Sequence, residues 1–173
     1  MVEMQGVGPG APRSVFERDH GDVEFRHVEP LQAAVVRVRT AATGLPGAIG
    51  DALREILQRT AGLGIETTGP PFTRHLSYGG PELTAEVGVP VAGLGPVPTT
   101  GRMTPSRLPG GRIVSIVHVG PYERLDETYA ALAAELEARG LAATGPLWEV
   151  YWSDPEMNPD PETWRTEICL PLD

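Results

Sequence analysis

The chain has 173 residues and a formal charge of −9, long enough for one domain with its own core and too acidic for a nucleic-acid-binding surface. Its single cysteine, Cys169, excludes an internal disulfide and a cysteine-rich zinc site, and the histidines at 20, 27, 75 and 118 lack metal-ligand spacing, so neither a metal nor another cofactor is expected. No apolar run approaches the ~20 residues that span a bilayer and the N-terminus has no signal-peptide core, which together predict a soluble cytoplasmic protein without a membrane partner.

Residues 1–22 are rich in Gly, Pro and charge without periodicity and read as a flexible N-terminal tail. From Val23 to Arg39, β-branched residues alternate with polar ones in two extended stretches around Glu29-Pro30, the pattern of strands. Leu45 to Thr60 places apolar residues at 45, 49, 52, 53, 56 and 57, the stripe of a core-facing helix that Gly62 and Gly64 then stop. Phe72 to Tyr78 and Leu83 to Val91 predict two strands joined by a turn at Gly79-Gly80-Pro81. Residues 92–111 are dense in Pro and Gly and read as a linker. A strand over Arg112 to Val119 follows, then a helix over Tyr122 to Arg139 with Leu125, Tyr129, Leu132 and Leu136 on one face. Strands over Trp148 to Ser153 and Thr163 to Leu172 flank a proline-fixed loop, D-P-E-M-N-P-D-P.

The chain also contains itself twice. I-E-T-T-G-P-P-F from Ile65 and L-A-A-T-G-P-L-W from Leu141 lie 76 residues apart, and that offset carries Gly44 onto Gly120, Ile49 onto Leu125 and Gly64 onto Gly140. T-A-E-V-G-V-P-V from Thr84 matches R-T-E-I-C-L-P-L from Arg165 at an offset of 81, so the second copy has the longer loop. Repeat 1 therefore covers about 23–91 and repeat 2 about 112–172. The predicted fold class is α+β: two βαββ units related by a pseudo-twofold axis, with an antiparallel sheet, helices on one face and a central ligand groove between the halves.

The duplication delivers Glu86 and Glu167 to equivalent places, each on a strand and pointing away from the helix-covered face. A strand carboxylate among Trp, Ile, Cys and Leu is costly to bury unless paired or facing a wet groove. On the short strand from Trp148, Trp148 and Trp152 share one face while Glu149 and Tyr151 share the other; only one pair can line a groove beside Glu167, and the register is open. Phe72 is the counterpart of Trp148 in the first half. Tyr122, just after Gly120-Pro121, either offers its hydroxyl at a pocket mouth or packs as a hydrophobic staple. His118 reads as a hydrogen-bonded structural residue and Cys169 as a structural thiol. No G-x-S-x-G elbow, phosphate loop or dinucleotide fingerprint is present.

Three motifs, H-V-G-P-Y-E at 118–123, G-P-L-W-E-V-Y at 145–151 and W-R-T-E-I at 164–168, resemble the GyrI-like small-molecule-binding domain, the effector-binding fold of many AraC- and MerR-type regulators. The resemblance implies the duplicated fold already read from the repeat, and a groove with an acid and aromatics that takes flat or cationic lipophilic molecules. The expected function is a stand-alone binding protein for a small hydrophobic or cationic ligand, in sensing, sequestration or self-resistance, with a separate regulator protein as a candidate partner. Its candidate ligand residues are Glu167, Glu86, Trp148, Tyr151, Tyr122, Phe72 and Trp152. The resemblance also implies two alternatives: a hydrolase of strained, cyclopropane-bearing compounds with Glu167 as the catalytic carboxylate, and, through the similar SOUL fold, a haem or tetrapyrrole carrier.

Overall fold

The alternating stretches become eight strands and the apolar stripes two helices in the computed structural model, which describes residues 13–77 and 79–173. In chain order they are β1 (Val23–Val28), β2 (Leu31–Thr40), α1 (Leu45–Gly62), β3 (Phe72–His75), β4 (Leu83–Pro90), β5 (Met103–Leu108), β6 (Gly111–Val119), α2 (Leu125–Arg139), β7 (Trp148–Tyr151) and β8 (Arg165–Pro171). All the ladders are antiparallel, in the order β1-β6-β8-β7-β3-β4-β2-β5. The order is symmetric about the β7–β3 pair. Each half of the sheet borrows its edge strand from the other repeat, β1 lying on β6 and β5 on β2. The fold is α+β, as the sequence predicts.

That exchange explains one departure from expectation. The segment 92–111 is not merely a linker, because it supplies β5, the counterpart of β1. Its proline content hid the strand, yet Pro105 sits on a sheet edge, where no ladder hydrogen bond is lost. The repeat offset is also corrected at the helices. Leu45 and Leu125 open α1 and α2 and are 80 apart, whereas Gly64 and Gly140, with φ of 66° and 64°, are 76 apart. The first helix is longer by about one turn, which leaves its apolar stripe in phase. Ile49 therefore does not match Leu125; Leu45 does.

The connections show that the sheet rolls up. β1 and β2 are six strands apart in the order, about 29 Å in a flat sheet at ~4.8 Å per strand. Only Glu29 and Pro30 join them, a reach of about 10 Å. Pro109 and Gly110 make the equivalent crossing from β5 to β6. Both crossings can be made only if the sheet curls until its two ends approach. The crossings touch: a Cβ added to Gly110 would stand 2.5 Å from Cδ and 2.7 Å from N of Pro30. Gly110→Ala is therefore expected to lower stability by about 1–3 kcal/mol through overpacking, read as a lower urea midpoint with the circular dichroism spectrum retained.

Curling gives the sheet an inner and an outer face. Outside, α1 packs on β2 and β4 through Ala52 and Ile56, and α2 packs on β6 through Leu132 and Leu136. The central pair β7–β3 lies between the two helices. Inside, Val35, Phe72, Ile113, Trp148 and Cys169 form one buried cluster that neither α1 nor α2 joins.

Residues 1–12 and Tyr78, parts of the expected tail and of the strand expected from Phe72, lie outside the described residues. The rest of the expected tail is tied down. Ser14 and Glu17 form a capping box on a 3₁₀ turn at Val15–Glu17, and Arg18, 1% exposed, enters the inner face. The S-V-F-E quartet from Ser14 carries this signal beneath the Gly- and Pro-rich composition.

Candidate functional site

The ladder register settles which face each side chain of β7 takes. Trp148 lies opposite Cys169, and Val150 opposite both Glu167 and Phe72. With a side-chain period of two, Phe72, Trp148, Val150, Glu167 and Cys169 point inward, while Glu149, Tyr151, Thr73 and His75 point outward between the helices. The acid and the rings expected in one groove are divided between two places.

The inner place is a cavity of about 400 Å³ near the two crossings, with Phe72, Trp148, Trp152 and Glu167 among its walls. Glu167 is 2% exposed and fully engaged. Its Oε1 accepts from Nη1 of Arg18 at 2.9 Å and stands 2.7 Å from Nη1 of Arg26, and its Oε2 accepts from Nε1 of Trp152 at 3.2 Å. Burial alone would raise this carboxyl, but Arg26, then Ser115 and Arg18, more than offset it and hold it below the usual range. The raised pKa expected of a general base is thus not what the surroundings produce. Burial, with Glu167 adding to it, pushes the Cys169 thiol well up, so native protein should resist a thiol reagent that labels it once unfolded. Rapid labelling of folded protein would contradict its burial.

Glu86 occupies the equivalent position in the first half without lining this cavity. It pairs with Nη2 of Arg37 at 3.0 Å, accepts from Oγ of Ser106 at 3.3 Å and has Nη1 of Arg74 at 4.0 Å.

The outer place is a cradle centred on Glu149, 6% exposed, on the floor between α1 and α2. Tyr129 of α2 donates its hydroxyl to Oε1, Tyr151 donates to Oε2 at 2.9 Å, and Nε2 of His75 stands 3.3 Å from Oε1. The single Tyr151 proton goes to the carboxylate, so the Thr73 hydroxyl, 2.8 Å away, donates to Tyr151. Burial would raise Glu149, but His75, then Tyr129 and Tyr151, outweigh it and keep the group ionised below the usual carboxylate range. Burial and the Glu149 charge push Tyr151 well above its ordinary value and raise Tyr122 as well. Tyr122 extends the aromatic surface, edge-on to Tyr151 at 6.0 Å and 4.9 Å from the Trp164 ring.

Of the residues expected to bind ligand, Phe72, Trp148, Trp152 and Glu167 meet at the inner cavity, Tyr122 and Tyr151 belong to the outer cradle, and Glu86 joins neither. Glu149, Tyr129, His75 and Trp164 were not among the expected residues. The signal for Glu149 was its alternation with Trp148 in W-E-V-Y. His118 has the structural role expected: its Nε2–H donates to the Pro121 carbonyl at 2.9 Å and its Nδ1 accepts from Thr128 at 2.7 Å, so both ring nitrogens are committed. Among the described residues no three His, Cys, Asp or Glu side chains gather as a metal site requires, and no helix is long and apolar enough to cross a membrane.

The fold has counterparts among solved structures. The EcmrR C-terminal domain superposes with a TM-score of 0.72 at 21% identity, covering 88% of this chain and 98% of that one. In the EcmrR–DNA complex the TM-score is 0.76 at 20% identity, and 88% of this chain is covered but only 57% of that one, so the chain spans little more than half of EcmrR. A hydrolase from Listeria innocua matches with a TM-score of 0.62 at 19% identity, covering 91% of this chain and 95% of that one. SAV2435 bound to tetraphenylphosphonium matches with a TM-score of 0.62 at 10% identity over 88% of this chain and 94% of that one. At these identities the likeness is one of fold. Among curated proteins nothing matches the chain. The family model of the GyrI-like small molecule binding domain matches residues 21–173, so the chain belongs to the GyrI-like small-molecule-binding domain family.

Proposed function

We propose that this domain captures a lipophilic aromatic cation in the Glu149 cradle, as the ligand-binding part of a sensing or sequestering system. One observation carries the reading. Glu149 is a buried carboxylate whose partners are tyrosine hydroxyls and a histidine, with no guanidinium against it among the described residues. Glu167 and Glu86, by contrast, are each neutralised by arginine. A cation that reaches Glu149 meets a carboxylate that no guanidinium neutralises, beside the rings of Tyr122 and Tyr151, each cation–π contact contributing about 0.5–2 kcal/mol. The tetraphenylphosphonium held by SAV2435, a protein of the same fold, supports the choice of ligand class.

Titration calorimetry with tetraphenylphosphonium tests the proposal. One saturable site with a Kd tighter than ~10 μM, about −7 kcal/mol, is expected. Absence of saturable binding by it and by planar cationic dyes would overturn the reading. Binding rather than hydrolysis fits the surroundings of the two acids, because His75 and the tyrosines at Glu149 and the arginines at Glu167 hold each carboxylate low, where it is a weak base. Mass spectrometry after long incubation should therefore recover the ligand unchanged.

A further inference from the structure

We infer that the inner cavity is a second ligand site, independent of the cradle, and that it takes an uncharged, flat, apolar molecule bearing one hydrogen-bond acceptor. Its volume of about 400 Å³ lies in the range of small-molecule pockets, and its walls include Trp148, Trp152 and Phe72. Phe16, 59% exposed, stands edge-on to Trp152 at 6.2 Å and extends that aromatic wall outward.

The charges argue for a neutral occupant. Arg18 lies 2.9 Å from Glu167 and 3.7 Å from Glu24, and Arg26 lies 2.7 Å from Glu167. Two guanidiniums and two carboxylates cancel inside, and Glu29, the other charged residue of the lining, is exposed to water, so no net charge in the buried cluster rewards a cation, and an ion entering an apolar cavity without a partner would lose its hydration uncompensated. Oε1 of Glu167 is engaged by both guanidiniums and Oε2 accepts from Trp152, so the protein's own donors already satisfy this carboxylate. Arg26 differs. Its Nη1 serves Glu167 and Ser115, and its other N–H groups remain to meet an acceptor. The cradle and the cavity, on opposite faces of β7, therefore select ligands by charge: one a cation, the other a neutral molecule.

6-Propionyl-2-(dimethylamino)naphthalene, neutral, flat, bearing one carbonyl acceptor and brightly fluorescent when sheltered from water, is the probe. Saturable 1:1 binding is expected, with energy transfer from tryptophan that persists in Trp164→Phe, where only Trp148 and Trp152 remain as donors. Trp152→Ala, and separately Val28→Phe, which fills the cavity, should each weaken binding at least tenfold, with folding checked by denaturation midpoint. Saturating tetraphenylphosphonium should leave the probe in place. No saturable probe binding, loss of the transfer in Trp164→Phe, displacement by the cation, or affinity unchanged in folded forms of both cavity variants would each overturn the inference. If the probe binds while tetraphenylphosphonium does not, the cavity site stands and the cradle reading falls.

Discussion

Glu149→Gln is expected to weaken tetraphenylphosphonium binding by roughly 100-fold while leaving the fold intact. The estimate follows from the charge lost. A unit charge about 5 Å from a bound cation at an effective dielectric near 20 contributes about 3 kcal/mol, and tenfold in affinity is 1.4 kcal/mol. Gln keeps the shape: its carbonyl oxygen accepts from one tyrosine and its NH2 donates to the hydroxyl oxygen of the other, so the charge is the main loss. Tyr151→Phe should act more weakly, because it removes a donor to the carboxylate and leaves both the charge and the ring. Calorimetry with the two variants separates charge from packing. Unchanged affinity in Glu149→Gln, combined with lost affinity in Glu167→Gln, would move the cation to the inner cavity and reverse the assignment of the two sites.

How far the sequence was legible depends on range. Period-two and period-3.6 patterns are local, so most strands and both helices stand where their apolar residues place them, and the duplicated fold follows from matching segments alone. The exchange of β1 and β5 is not local. It follows from how two halves close around each other, and Pro109-Gly110 announces only a turn. The candidate site failed to assemble as expected for a related reason. W-E-V-Y-W states that Trp148 and Glu149 point opposite ways, but the partner of Glu167 across the ladder is fixed by register, and pairing with Val150 decides it. Tyr129 was visible on the apolar stripe of α2 and read as core, since nothing in a helical pattern shows that a ring edge reaches a carboxylate on a neighbouring strand. Arg18 was hidden by composition: a Gly- and Pro-rich run reads as tail even when one of its arginines fills a buried charge site.

That arginine carries the largest expected effect on stability. Arg18 donates from Nη1 to Glu167 and from Nη2 to the carbonyls of Asp22 and Ser115, so the strap at residues 14–22 is fastened to β8 and β6 by one buried side chain. Arg18→Met should cost about 3–5 kcal/mol, because it strips a buried carboxylate of one of its two cations. Arg18→Met with Glu167→Gln should recover part of that loss, since the uncompensated charge is gone. The matched family region begins at residue 21 and excludes Arg18, so a chain cut there should be destabilised like the single variant. Acid acts on the same pair. The Glu167 carboxyl sits below its unfolded value, so the stability it contributes is fully present above about pH 4.3 and is lost as pH falls through its folded value, with Glu149 adding a loss of the same sign. Urea midpoints from pH 7 down to pH 3 should therefore fall less steeply in Glu167→Gln than in the parent chain. Parallel curves, together with an Arg18→Met variant as stable as the parent, would show that the strap merely rests on the domain and that Arg26 alone satisfies the buried acid.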